Sequence, residues 1–173
     1  MSAIDEVLRA NASFAAGFQS GGLPMLPARK LAVVTCMDAR LDVHRMLGLD
    51  LGEAHVVRNA GGIVTEDVLR SLIISHHFLG TQEFLVINHT ECGMLTFRDE
   101  ELLDELRRTS GASPSGPAVF HAFTNLEENV RQQTEKIRSH PWLPKSAGVR
   151  GCVYDVKTGR LHEVTAARGS GSR

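Results

Sequence analysis

Two sulfurs and an imidazole stand just past two short apolar runs of this chain. Cys36 follows Leu31-Ala32-Val33-Val34-Thr35, and His89 and Cys92 follow Phe84-Leu85-Val86-Ile87-Asn88. Thiolate and imidazole are the donors a tetrahedral zinc ion prefers, and three firm protein ligands leave a fourth position to be contested. Water taken into such a position becomes hydroxide near neutral pH. His-x-x-Cys alone is a weak signal, and free cysteines are often plain small core residues. The metal reading gains force because all three donors sit at the exits of apolar runs.

Asp38 and Arg40 come directly after Cys36. The bland reading is a surface ion pair. The sharper one is a contest for Asp38 between Arg40 and the metal. A guanidinium suits that task, because it grips a carboxylate with two parallel hydrogen bonds and stays charged. With Arg40 holding the carboxylate the fourth metal position is open, and with Asp38 on the metal it is closed. Asp38 is thus a conditional fourth ligand.

Arg58-Asn59-Ala60-Gly61-Gly62 ends another apolar run. Its glycines permit close backbone approach or positive φ. Gly61 and Gly62 are expected to shape the pocket floor and a subunit contact, and Gly93, next to Cys92, is expected to line the same pocket. Arg58 reads as an interface or core ion-pair residue rather than a catalyst. His44, His76 and His77 titrate in the range a proton relay needs, although His76 and His77 also read as helix-end histidines. Cys152 reads as core. Trp142, between Pro141 and Pro144, reads as a loop anchor.

The elements that must position these residues follow from periodicity. Ile4, Val7, Leu8 and Phe14 recur at helical spacing, which predicts an amphipathic helix over 2–18. Strands are predicted at 30–35, 54–58, 83–88 and 149–155, with an antiparallel edge strand at 161–164 after the turn at Lys157-Thr158-Gly159. Helices are predicted over 42–47, 65–78, 96–108 and 120–138, and a loop over 110–117. Alternating strands and helices imply an α/β fold, a mostly parallel sheet with helices on both faces. Ligand bonds of roughly 2.0–2.3 Å can join Cys36 to His89 and Cys92 only if the first and third strands are neighbours. The second strand then lies beyond the first, giving the order 2-1-3-4, and a crevice opens at the carboxyl ends of strands one and three.

Composition narrows the function classes. A chain of 173 residues with 42% hydrophobic content reads as one globular domain, 1–168, with 169–173 as a disordered tail. A net charge of −1 offers no electrostatic footprint for nucleic acid or an anionic membrane. No apolar run approaches the roughly 20 residues that span a bilayer. The first residues lack the basic start and apolar stretch of a secretion signal. Three cysteines without such a signal argue against a disulfide framework and for a reducing cytoplasm.

Cys-Met-Asp-Ala-Arg at 36–40, Arg-Asn-Ala-Gly-Gly at 58–62 and His-Thr-Glu-Cys-Gly at 89–93, in that order, resemble the β-class carbonic anhydrases, and most of all their compact bacterial branch. The resemblance runs from about residue 30 to the last strand. It implies Zn2+ held by Cys36, His89 and Cys92, with Asp38 and Arg40 as the aspartate–arginine dyad. Many members have Ser where Ala39 stands. The implied fold is a parallel 2-1-3-4 sheet with an antiparallel edge strand. The implied assembly is a homodimer with the N-terminal helix laid on its partner, in some cases a dimer of dimers. The implied reaction is attack of zinc hydroxide on carbon dioxide, giving bicarbonate and a proton. A three-histidine zinc site brings bound water to a pKa of about 7. Two thiolates cancel more of the ionic charge, so the rate is expected to climb with pH. Carbonyl sulfide and carbon disulfide hydrolases resemble the same scaffold and are the nearest alternative. A non-catalytic protein with a structural zinc site is a further one.

Overall fold

Leu31–Cys36 is built of aliphatic and β-branched residues and is buried along nearly its whole length, so it can only be an inner strand (β1). The computed structural model describes residues 1–110, 116 and 119–165. The tail expected at 169–173 and most of the loop expected at 110–117 lie outside the described residues.

Around β1 the chain lays out α1 (Ala3–Ala16), α2 (Val43–Leu47), β2 (Ala54–Asn59), α3 (Glu66–His77), β3 (Glu83–His89), α4 (Asp99–Ser110), α5 (Leu126–Ser139), β4 (Gly148–Tyr154) and β5 (Leu161–Thr165). The five strands form one sheet of order β2-β1-β3-β4-β5. All pairs are parallel except β4 with β5. The order inferred from the metal donors is therefore the order observed.

One face of the sheet, with Ala32, Val34, Phe84 and Val86, packs against Val68 and Leu72 of α3 and Ile137 of α5. The other face, with Val33, Ile87 and Cys152, is met by Val43, Met46 and Leu47 of α2. Cys152 is thus a core residue, as its sequence context suggested. Helix α1 begins with a capping box, in which Ser2 and Asp5 satisfy each other's backbone N–H groups. None of its residues is buried.

Two expectations need correction. The helix expected from residue 120 begins only at Leu126. Asp99 accepts backbone hydrogen bonds from Phe120, His121 and Ala122 at 2.8, 3.0 and 2.8 Å, which holds this segment as a loop. His121 has a φ of 63° there, and Asn125 caps the helix that follows. Trp142 is no anchor, since it is 67% exposed while its neighbour Leu143 is buried.

Candidate metal centre

The site is assembled at the carboxyl ends of β1 and β3, where parallel pairing brings the two exits side by side. Cys36 is the last residue of β1 and His89 the last of β3. Cys92 follows three residues on, past Glu91 at a φ of 55°, which turns the chain back toward the sheet. The ligand atoms of Cys36, His89 and Cys92 lie within 4.8 Å of one another, and all three residues are buried.

Protonation at this cluster is legible from its partners. His89 Nδ1 lies 2.9 Å from the Thr90 carbonyl oxygen, which can only accept. Nδ1 therefore carries the proton and Nε2 presents a lone pair. That Nε2 is buried and has no hydrogen-bond partner among the described residues. The two sulfurs stand 4.0 Å apart and both cysteines are free, far beyond the roughly 2.05 Å of a disulfide. The hydrogen bond with Cys92 pulls the Cys36 thiol down to about 4, helped by His89 and by the backbone N–H of Gly61. The same shared bond, together with burial, pushes Cys92 up. Burial alone would lower His89, but Cys36 and the Thr90 carbonyl outweigh it and raise it. Two soft sulfurs and an orphaned imidazole lone pair converging in a buried corner are a donor set that fits zinc.

Asp38 and Arg40 stand at the rim. Arg40 Nε and Nη2 donate to the two Asp38 carboxylate oxygens at 3.0 and 2.8 Å, and Arg40 N adds a bond of 2.9 Å. These bonds hold Asp38 well below the usual carboxylate range. Asp38 Oδ2 is 3.7 Å from His89 Nε2, so the carboxylate faces the cluster while Arg40 grips it from outside. Arg40 Nη2 also donates to the Glu91 carbonyl at 3.1 Å, tying the loop after β1 to the loop after β3.

The glycines differ from one another. Gly61 has a φ of 81°, and a Cβ there would lie 3.0 Å from Met94 and 3.2 Å from Phe123. Gly62 has a φ of 62°, and a Cβ would come within 2.9 Å of Asn88 and 3.0 Å of the Thr35 backbone. Both sit where a side chain has no room. Gly93 is exposed, with open space where a Cβ would go.

Arg58 does other work than expected. Its Nε and Nη2 donate to the carbonyls of Cys36 and Asp38 at 2.9 and 2.7 Å, so it braces the Cys36–Asp38 loop rather than pairing with a carboxylate. His76 and His77 bond to the carbonyls of Thr81 and Trp142. They close α3 at the amino-terminal end of β3, the opposite end of the sheet from the cluster, and are helix-end histidines. His44 is exposed in α2. Sequence reasoning missed Gly61 N, which donates to Cys36 Sγ at 3.3 Å. It also missed Asn88, whose side chain donates to the Gly61 carbonyl at 2.8 Å. An amide at the end of an otherwise apolar strand, beside His89, was the available signal.

Comparison with known proteins points the same way. Residues 31–161 match the family described as carbonic anhydrase. The chain is 47% identical to β-carbonic anhydrase 1 of Mycobacterium tuberculosis over 165 residues, covering 95% of this chain and 99% of that protein. It is 36% identical to a carbon disulfide hydrolase of Acidithiobacillus thiooxidans over 151 residues, 77% of this chain and 76% of that one. Among solved structures, carbonic anhydrase from Streptococcus mutans superposes with a TM-score of 0.90 at 42% identity, covering 95% of this chain and 99% of that chain.

Proposed function

The chain belongs to the β-carbonic anhydrase family, and from that premise we propose that it catalyses the reversible hydration of carbon dioxide to bicarbonate and a proton, with zinc held by Cys36, His89 and Cys92. The observation that carries this reading is the buried His89 Nε2 lone pair, unpartnered among the described residues and facing two cysteine sulfurs. Bound there, zinc supplies a Lewis acid that brings the pKa of water toward neutrality.

The chain's own residues do the rest. Cys36 and Cys92 bring negative charge into a buried corner and set how strongly water is acidified. Arg40 keeps Asp38 ionised and holds it at the rim, which supports an open fourth position. Asp38 Oδ2, 3.7 Å from His89 Nε2, is placed to accept a proton from a water that enters the corner beside it. Gly61 brings the pocket floor close to Met94 and Phe123, an apolar wall suited to a small uncharged substrate. Gly62 and Gly93 complete the loops around it.

The reading extends to assembly. Ile4, Val7, Leu8 and Phe14 of α1 are all exposed, which supports a homodimer in which α1 lies on a second copy. Three free thiols support a reducing compartment such as the cytoplasm. Among the described residues no helix is long and apolar enough to cross a membrane.

Stopped-flow hydration of carbon dioxide, on protein whose zinc has been counted, tests the assignment. One zinc per chain and loss of turnover on chelation are expected; folded, metal-free, fully active protein overturns it. The likeness to carbon disulfide hydrolase favours one second reading, hydrolysis of carbon disulfide or carbonyl sulfide at the same site. Both sulfur substrates belong beside carbon dioxide in the same assay, and faster turnover of either would replace the first reading. A purely structural zinc fits less well, because nothing is gained there by a guanidinium that draws a carboxylate away from the metal.

A further inference from the structure

Asn88, Asn129 and Gln133 are three primary amides buried in a row, at 1%, 5% and 3% exposure. They are joined head to tail. Gln133 Nε2 donates to Asn129 Oδ1 at 2.8 Å, Asn129 Nδ2 donates to Asn88 Oδ1 at 2.7 Å, and Asn88 Nδ2 donates to the Gly61 carbonyl at 2.8 Å. At the outer end Gln133 Oε1 accepts from Val64 N at 2.9 Å and from the Lys136 ammonium at 3.1 Å.

The direction of the chain is forced. The Gly61 carbonyl can only accept, so Asn88 must turn Nδ2 toward it and Oδ1 toward Asn129. Asn129 must then donate to Asn88 and accept from Gln133. Bonds aligned in this way polarise one another. The row ends on the residue whose own N–H lies 3.3 Å from Cys36 Sγ. Gly61 and Gly62 both have positive φ and no side chains to lock them, so their conformation must be fixed from outside. Stability alone does not call for amides here, since matched apolar groups in place of buried polar pairs can be nearly neutral.

We propose that Asn129 and Gln133 of α5 are positioning residues for the metal centre: acting through Asn88, they hold the Gly61 backbone so that its N–H stays on the Cys36 sulfur. The inference rests on the reading of Cys36 as a metal ligand. An N–H on a thiolate withdraws charge from it, so losing the amide row leaves a freer loop and a more electron-rich sulfur.

The test uses Asn129→Asp and Gln133→Glu, each of which replaces one donor nitrogen by oxygen at constant volume. Zinc affinity is measured by competition with a chromogenic chelator, and the thiolate-to-metal charge-transfer band is read in the cobalt(II)-substituted protein. Val130→Ala, a cavity variant at a fully buried position of the same helix, serves as the control for lost stability. Expected is a loss of about tenfold in zinc affinity in both amide variants, the scale for groups that orient metal ligands. The cobalt band should move to longer wavelength. Val130→Ala should melt earlier yet keep the wild-type affinity and band. If Asn129→Asp is too unstable to purify, Gln133→Glu, which keeps its acceptors for Val64 and Lys136, carries the test alone. Wild-type affinity and band in the amide variants overturn the inference, as does an equal shift in Val130→Ala. A wild-type chain that takes up no metal overturns the metal reading itself, and the inference with it.

Discussion

Cys36 and Cys92 hold their protons very differently although their sulfurs lie 4.0 Å apart. Cys36 is lowered to about 4 by its hydrogen bond to Cys92, and Cys92 is raised by the same bond. Near neutral pH the metal-free pair therefore keeps one proton on Cys92, and zinc bound as proposed would have to expel it, because the thiolate is the form that ligates. Zinc affinity is therefore expected to rise with pH. Calorimetric zinc titrations in two buffers of different ionisation heat should show about one proton released per zinc at mildly alkaline pH. The count should grow as pH falls, because the raised His89 then brings a second proton. A count of zero contradicts the two-thiolate site. Arg40 poses the complementary test. Without the two guanidinium bonds to Asp38, only the backbone N–H of residue 40 still holds the carboxylate, which lies 3.7 Å from His89 Nε2 and can then swing toward the metal. Arg40→Ala should keep its zinc and lose roughly 10–100-fold in carbon dioxide hydration; unchanged hydration sinks the dyad account. These side chains were legible in the sequence because a metal site demands particular atoms at particular exits. The ion-pair reading of Arg58 gives way because its partners are the carbonyls of Cys36 and Asp38, and no sequence pattern marks a carbonyl as a partner.

At the scale of elements, the strands and α3 were readable from apolar runs, acidic first turns and glycine stops. The start of α5 was not. Phe120, Ala122 and Phe123 read as one more stretch of an amphipathic helix, yet Ala122 and Phe123 pack on the cluster that contains Cys36, Cys92 and Met94. What keeps them out of the helix is Asp99, whose carboxylate takes three backbone N–H groups from Phe120, His121 and Ala122. A contact across more than twenty residues leaves no local signature. Burial would raise the Asp99 pKa, but these three donors prevail and hold it below the ordinary value. A carboxyl depressed in the fold stabilises the fold above its unfolded pKa of about 3.9 and gives that up as pH falls through the folded value. Asp99→Ala should cost about 2 kcal/mol in urea unfolding at neutral pH, the scale for hydrogen bonds to a charged group. The deficit of Asp99→Asn against wild type should shrink once the pH drops below about 4. Equal stability of wild type and Asp99→Ala at neutral pH would show that the loop is held by something else.

The sheet order of the whole molecule could be worked out because donors for one ion must leave neighbouring strands, and the candidate donors Cys36 and His89 sit on β1 and β3. What covers α1 could not be worked out that way, since the covering surface is not part of its local pattern. A helix of 14 residues with no buried residue is marginal by itself in water. Ile4, Val7, Leu8 and Phe14, between 62% and 68% exposed, line the face it would bury. Each large apolar side chain taken out of water contributes about 1.5–3 kcal/mol, enough together to favour association of two copies. Charge placed on that stripe should therefore break the assembly while leaving the sheet and the metal corner intact. In sedimentation velocity the wild type should run as a dimer, and the double variant Ile4→Glu/Leu8→Glu as a monomer with reduced helical circular dichroism but unchanged zinc content. A monomeric wild type, or a double variant that still sediments as a dimer, would place the subunit contact away from α1.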